Sequence, residues 1–132
     1  AFDALEGRFV FHHFDGYSEM YNPQGAVRTE DYRLPAEDGT VDLAAAHSLF
    51  THLFEPEARH YLGEFARILK PEGVAVISLH TEPPEGQVYV QSHDRSDVDL
   101  DHFLAMASGA GLALHETVGV VYGQTVVVLR RP

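Results

Sequence analysis

Two short apolar runs separated by one amphipathic stretch constrain this chain more than any other feature. Residues 41–47, Val-Asp-Leu-Ala-Ala-Ala-His, follow the turn pair Asp38-Gly39 and form a nearly continuous apolar segment, which suits a strand covered on both faces. From residue 55 to residue 70, Ala58, Tyr61, Leu62, Phe65, Ile68 and Leu69 recur at steps of three and four, with Glu57, His60, Glu64 and Arg67 between them. That spacing predicts an amphipathic helix, started near Pro56 and stopped by Pro71. Gly73 then opens Val74-Ala75-Val76-Ile77-Ser78-Leu79, the strongest buried-strand signal in the sequence. Strand, helix and strand in this order return the chain parallel to itself on one sheet, which commits the fold to layered α/β architecture.

The flanking segments extend this unit. Residues 8–14, Arg-Phe-Val-Phe-His-His-Phe, are β-branched and aromatic and end in Asp15-Gly16, so a further strand is expected there. Residues 17–39 are irregular, with turn signals at Asn22-Pro23, Gly25, Leu34-Pro35 and Asp38-Gly39; a connection this long is more often functional or mobile than decorative. After a loop rich in Pro and Gly, Ser96 with Asp99 reads as a capping box, and Leu100, Phe103, Leu104 and Ala107 supply a helical stripe ending at Gly109 or Gly111. Residues 112–119 and 124–130 flank a short Val-Val-Tyr-Gly link and read as an antiparallel pair. The expected fold is a single α/β domain over residues 1–132, its sheet mostly parallel with an antiparallel terminal strand pair and flanked by helices.

Composition removes several kinds of chemistry. There are no cysteines, which excludes disulfide scaffolds, thiolate zinc sites, iron–sulfur ligation and a cysteine nucleophile. Nine Lys and Arg against twenty Asp and Glu give a net charge of −11. A field of that sign repels phosphate backbones and anionic lipid surfaces, so neither a nucleic-acid nor a membrane partner is expected. No apolar run approaches the roughly 20 residues of a spanning helix, and residues 1–6 lack the zones of a secretory signal. A cytoplasmic protein is expected.

In open parallel sheets, ligands bind beyond the carboxyl ends of the strands. The candidates are therefore Asp15, Gly16 and Tyr17, then His47, Ser48, Leu49, Phe50, Thr51 and His52, and finally His80 and Thr81. A carboxylate there accepts bonds from amino or hydroxyl groups, although Asp15 also reads as a turn residue bonding its own backbone. His12, His13, His47 and His52 lack diagnostic ligand spacing, and no metal site is expected. His13 or His47 is chemically suited to act as a base, against the commoner role of a hydrogen-bonded structural histidine. Ser48 has no Gly-x-Ser-x-Gly context for hydrolase chemistry, and no phosphate-cradling Gly-x-x-x-x-Gly-Lys segment exists.

These residues also carry a family resemblance. Asp42-Leu43-Ala44-Ala45-Ala46-His47-Ser48-Leu49-Phe50-Thr51-His52-Leu53, followed by Tyr61-Leu62-Gly63-Glu64-Phe65-Ala66-Arg67-Ile68-Leu69-Lys70-Pro71-Glu72-Gly73, resembles the fourth strand, next helix and fifth-strand entry of class I S-adenosylmethionine-dependent methyltransferases. Phe14-Asp15, Tyr21-Asn22-Pro23-Gln24-Gly25, Leu34-Pro35 and Asp38-Gly39 resemble that family's third strand and the loop beyond. The last two runs resemble its antiparallel sixth and seventh strands. The likeness spans about residues 8–130, the carboxyl-terminal two-thirds of the family pattern.

The resemblance implies a Rossmann-like sheet, S-adenosylmethionine as cofactor, and methyl transfer to an unknown acceptor, either a small molecule or a protein. It implies Asp15 at the adenine amino group with Gly16 near the ring, and His47, Ser48 and Leu49 lining the cofactor. Phe50, His52 and Tyr17 fall on the substrate side; no catalytic residue is assigned. The family's first strand with its Gly-rich turn and its second strand would precede residue 8, so the expected domain is a truncated one that lacks both. A homo-oligomer, or a missing amino-terminal portion, would then complete the sheet. The alternative is a non-catalytic oligomerising or partner-binding module on the truncated fold, and a third reading is a small hydrolase or metal enzyme using the histidines.

Overall fold

The strand–helix–strand unit forms where the sequence places it. The computed structural model describes residues 7–92 and 94–132; residues 1–6, read above for a secretory signal, lie outside these. In it β1 is Val41–Ala46, α1 Glu55–Ile68 and β2 Leu69–Leu79. β3 is Tyr89–Gln91, β4 Ser96–Val98, α2 Leu100–Gly109, β5 Ala113–Val121 and β6 Gln124–Arg130. The chain divides into two compact units, one ending at Pro35 and one from Ala36 to Pro132.

Both ends of α1 are satisfied locally. Phe54 precedes it with extended backbone, and its N–H donates to Glu57 Oε2 at 2.8 Å. Glu55 and Glu57 in the first turn face the positive end of the helix dipole. At the other end no loop intervenes before β2. The Gly39 and Thr40 N–H groups donate to the carbonyls of Arg67 and Ile68, both at 2.9 Å, meeting acceptors that a helix end otherwise leaves without partners. Arg67, with 14% of its side chain exposed, fixes the same corner. Its guanidinium donates to both Glu64 carboxylate oxygens at 2.8 and 2.7 Å, and to the Ala36 carbonyl and Asp38 Oδ1 at 2.8 Å each.

β1 pairs parallel with β2, matching Leu43 to Val74 and Ala46 to Ile77. β6 pairs antiparallel with β2, from Val74 opposite Arg130 to Leu79 opposite Thr125, and antiparallel with β5. The order is β1-β2-β6-β5, so three strands run one way and β6 alone runs against them. The expected mixed α/β class holds, with its antiparallel end. Tyr122 and Gly123 close the β5–β6 hairpin with φ of 49° and 76°, a two-residue turn whose twist matches that of the strands.

One face of this sheet is covered. Ala44, Ala46, Ala75, Ile77, Leu79, Val127 and Leu129 are buried, and so are Ala58, Leu62 and Phe65 of α1 and Phe103, Met106 and Ala107 of α2. The Phe50 ring stands edge-on to Phe103, with centroids 5.7 Å apart. The expectation that β1 is covered on both faces is corrected, because Leu43 is 58% exposed and Ala45 is exposed as well. An alanine run carries little information about which side faces a core.

Three further expectations change. Residues 8–14 form no strand: Phe9, Val10 and Phe11 are 60%, 76% and 92% exposed, and the segment's neighbour Gly16 makes only an isolated bridge with Val27. Strand propensity is realised only where a partner row exists. Ser96 belongs to no capping box. It lies in the β3–β4 hairpin, opposite Gln91, while Asp99 is itself the cap, accepting from the His102 N–H at 3.0 Å. β2 begins at Leu69, ahead of Gly73, and its register shifts between the pairs at Val41 and Leu43. Within that irregularity a Cβ on Gly73 would lie 2.9 Å from the Lys70 carbonyl oxygen and 3.1 Å from that of Val41. No helix of the described residues is long and apolar enough to cross a membrane.

Replacing Arg67 by Ala leaves Glu64, only 12% exposed, without its bidentate partner. Urea denaturation is expected to show a loss of about 2 kcal/mol. Arg67→Lys restores less than half of that, since an ammonium group cannot reproduce the fork.

Candidate functional site

At the carboxyl end of β1, His47 is exposed and Ser48 adopts a left-handed backbone with φ 52°. A serine there costs roughly 1–2 kcal/mol relative to its ordinary conformations, so the surroundings must over-determine it. The Ser48 N–H donates to Ser78 Oγ at 2.8 Å. The Gln124 side-chain amide closes on the Ser48 hydroxyl, with Nε2 donating at 2.8 Å and Oε1 accepting at 3.2 Å. Thr51 Oγ1 donates to the Ser48 carbonyl at 3.0 Å. Ser78 lies near the end of β2 and Gln124 opens β6, so the ends of three neighbouring strands converge on one residue. His47 Nδ1 stands 3.5 Å from the same Ser78 hydroxyl.

Beyond Ser48 the chain makes a single 3₁₀ turn, Phe50–His52, before α1. Leu49 is 36% exposed, whereas Thr51 is 1% and Phe50 3% exposed. Phe50 packs among Tyr61, Phe65 and Phe103, so its ring anchors the turn to the core. His52 is exposed at the end of the turn. Past the end of β2, the Thr81 and Thr125 hydroxyls share a hydrogen bond of 2.7 Å. His80 accepts the Val98 N–H on its carbonyl at 3.0 Å, and its Nδ1 is buried without a partner. Asp97 is held below the ordinary carboxylate value chiefly by Arg95, which donates to it at 2.6 and 2.9 Å.

Asp15, Gly16 and Tyr17 belong to the unit ending at Pro35 and organise its loop. Asp15 Oδ1 accepts from Asn22 Nδ2 at 2.9 Å and Oδ2 from the Ala26 N–H at 3.2 Å. The Tyr17 N–H donates to the Val27 carbonyl at 2.7 Å. A Cβ on Gly16 would meet the Phe14 ring at 2.5 Å, so only glycine lets that ring, itself stacked on Tyr32 at 4.0 Å, lie so close. Asp15 thus ties together loop positions seven and eleven residues downstream, not its own local backbone, while its carboxylate stays exposed.

The structure gathers His47 and Ser48 with three side chains, of which sequence reasoning missed Ser78 and Gln124. Ser78 is the one hydroxyl in the otherwise apolar run of residues 74–79, which is a signal the sequence carries. Gln124 stands at the head of a β-branched run, and nothing in its neighbourhood distinguishes it. Ser48 Oγ meets a carboxamide, which has no basic site to take its proton, so the arrangement does not activate a serine nucleophile. Among the described residues, no three His, Asp or Glu side chains lie close enough to hold a metal ion.

Asn22 is the main cause that lowers the Asp15 pKa below its ordinary 3.8, followed by the Ala26 N–H. A depressed carboxylate contributes stability above its unfolded value and loses it as pH falls through the folded midpoint. Carboxyl-detected NMR titration is expected to place that midpoint below 3.8, and Asn22→Ala to move it upward.

Residues 17–77 match the family model described as a methyltransferase domain. Solved structures share the fold at low identity. A chain from the Haloferax volcanii complex formed by the Trm112 methyltransferase activator aligns with TM-score 0.59 and 20% identity, covering 75% of this chain and 57% of that one. The Burkholderia thailandensis 1,6-didemethyltoxoflavin-N1-methyltransferase, with bound 1,6-didemethyltoxoflavin and S-adenosylhomocysteine, aligns with TM-score 0.60 and 16% identity over 80% of this chain and 48% of that one. The [4+2]-cyclase SpnF aligns with TM-score 0.58 and 15% identity over 80% and 54%. This chain therefore spans about half the length of each.

Proposed function

We propose that this chain, whose residues 17–77 match a methyltransferase-domain model, is a class I methyltransferase-like protein, and that residues 47–49 line a site for S-adenosylmethionine from which a methyl group passes to an acceptor. The observation that carries this reading is the left-handed Ser48 at the carboxyl end of β1, fixed from three sides inside the segment that matches the family model. Strained, over-determined residues gather at ligand sites.

The residues present suit such a cofactor. In the unit ending at Pro35, taken by itself, Asp15 keeps an exposed carboxylate whose oxygens each retain a lone pair beyond the bonds to Asn22 and Ala26. Leu49 supplies apolar surface, and His47 and Ser48 supply polar contacts. When bound, the cofactor brings a sulfonium-activated methyl group. The chain's own residues orient and shield, and holding donor and acceptor in line can supply most of the rate enhancement. His52 faces the acceptor in this reading, and Phe50 supports the turn from within. The acceptor is a small molecule or a protein, since the net charge of −11 disfavours nucleic acid. A cytoplasmic setting and assembly with a second copy or another chain belong to the same proposal.

A second reading, a non-catalytic partner-binding module, draws on the open face of the sheet around Leu43 and Ala45. The likeness to a [4+2]-cyclase adds that this fold alone does not set the reaction. Calorimetric titration separates the two. S-adenosylhomocysteine is expected to give a saturable isotherm. Absence of heat at millimolar ligand removes the cofactor site and leaves the module. Light scattering reports the assembly, and a strictly monomeric chain at high concentration argues against self-association.

A further inference from the structure

We infer that Ser78 and Gln124 are positioning residues for the ligand loop, an inference that rests on the cofactor reading above. Neither faces the proposed ligand as one of its contacts; each acts through Ser48. Ser78 is 3% exposed, yet a serine at this place in Val-Ala-Val-Ile-Ser-Leu adds nothing to apolar packing. Its hydroxyl instead accepts the Ser48 N–H at 2.8 Å. Gln124 reaches Ser48 from β6 with both ends of its amide. Ser48 is not glycine, so its φ of 52° is adopted against its own preference. Without these partners residue 48 relaxes toward ordinary backbone, and His47 and Leu49 swing away from their present directions. The same two bonds link the loop to the β5–β6 hairpin, because Gln124 directly follows the Tyr122-Gly123 turn.

The test uses the full chain with S-adenosylhomocysteine as probe. Ser78→Ala and Gln124→Ala are each expected to lose about tenfold in affinity, the size of one net hydrogen bond, with little change in melting temperature. Amide hydrogen exchange at Ser48 accelerates in Ser78→Ala, a local signature that general destabilisation would spread over the sheet. Ser78→Thr keeps the hydroxyl and restores both affinity and protection, which distinguishes a lost acceptor from a damaged strand. Wild-type affinity in both alanine variants, or unchanged Ser48 exchange in Ser78→Ala, overturns the inference while the cofactor reading stands. A wild-type chain that does not bind the probe overturns the cofactor reading and this inference with it.

Discussion

The parallel pairing of β1 with β2 is the constraint on which the rest depends. Parallel neighbours require a crossover, and here the crossover is α1, which enters β2 without a loop. That abrupt junction is held by backbone donors from Gly39 and Thr40 and by the Arg67 fork. Because the helix and both strands are pinned at this corner, the opposite ends of the strands are fixed as well. The residues beyond Ala46 and Leu79 arrive side by side at one rim of the sheet, where Ser48 can meet Ser78.

Much of this was legible in the sequence, and the reasons are physical. The α1 stripe has a period that only a helix satisfies, and Val74 to Leu79 allow little but a buried strand. The pair β5–β6 could be read from its composition and the Tyr-Gly link. What failed was of two kinds. Residues 8–14 have the right propensities but no partner row, and a single sequence does not show partners. The hairpin β3–β4 is too short, at three residues a strand, to carry a pattern, and missing it displaced the helix cap from Asp99 to Ser96.

The site was legible in outline only. Position after a strand singled out His47, Ser48 and Leu49, yet it could not show that Phe50 is an interior ring, since an aromatic suits a core or a ligand equally. Nor could spacing join Ser48 to Gln124. That contact spans 76 positions in the chain and exists only because β6 inserts between β2 and β5. The carboxamide at Ser48 also changes the chemistry that the serine suggests, turning a candidate nucleophile into a held backbone unit.

The position of β6 bears on how the chain reaches this state. β5 and β6 are adjacent in sequence and close through a two-residue turn, so they meet at small entropic cost. Docking β6 on β2 is different, since the β3–β4 hairpin, α2 and β5 all lie between the two partners. By topology that step carries the largest loop-closure cost in the sheet, and high contact order of this kind slows folding. The strand that completes the sheet also delivers Gln124, so the rim acquires its last polar contact only through the pairing with the longest loop to close.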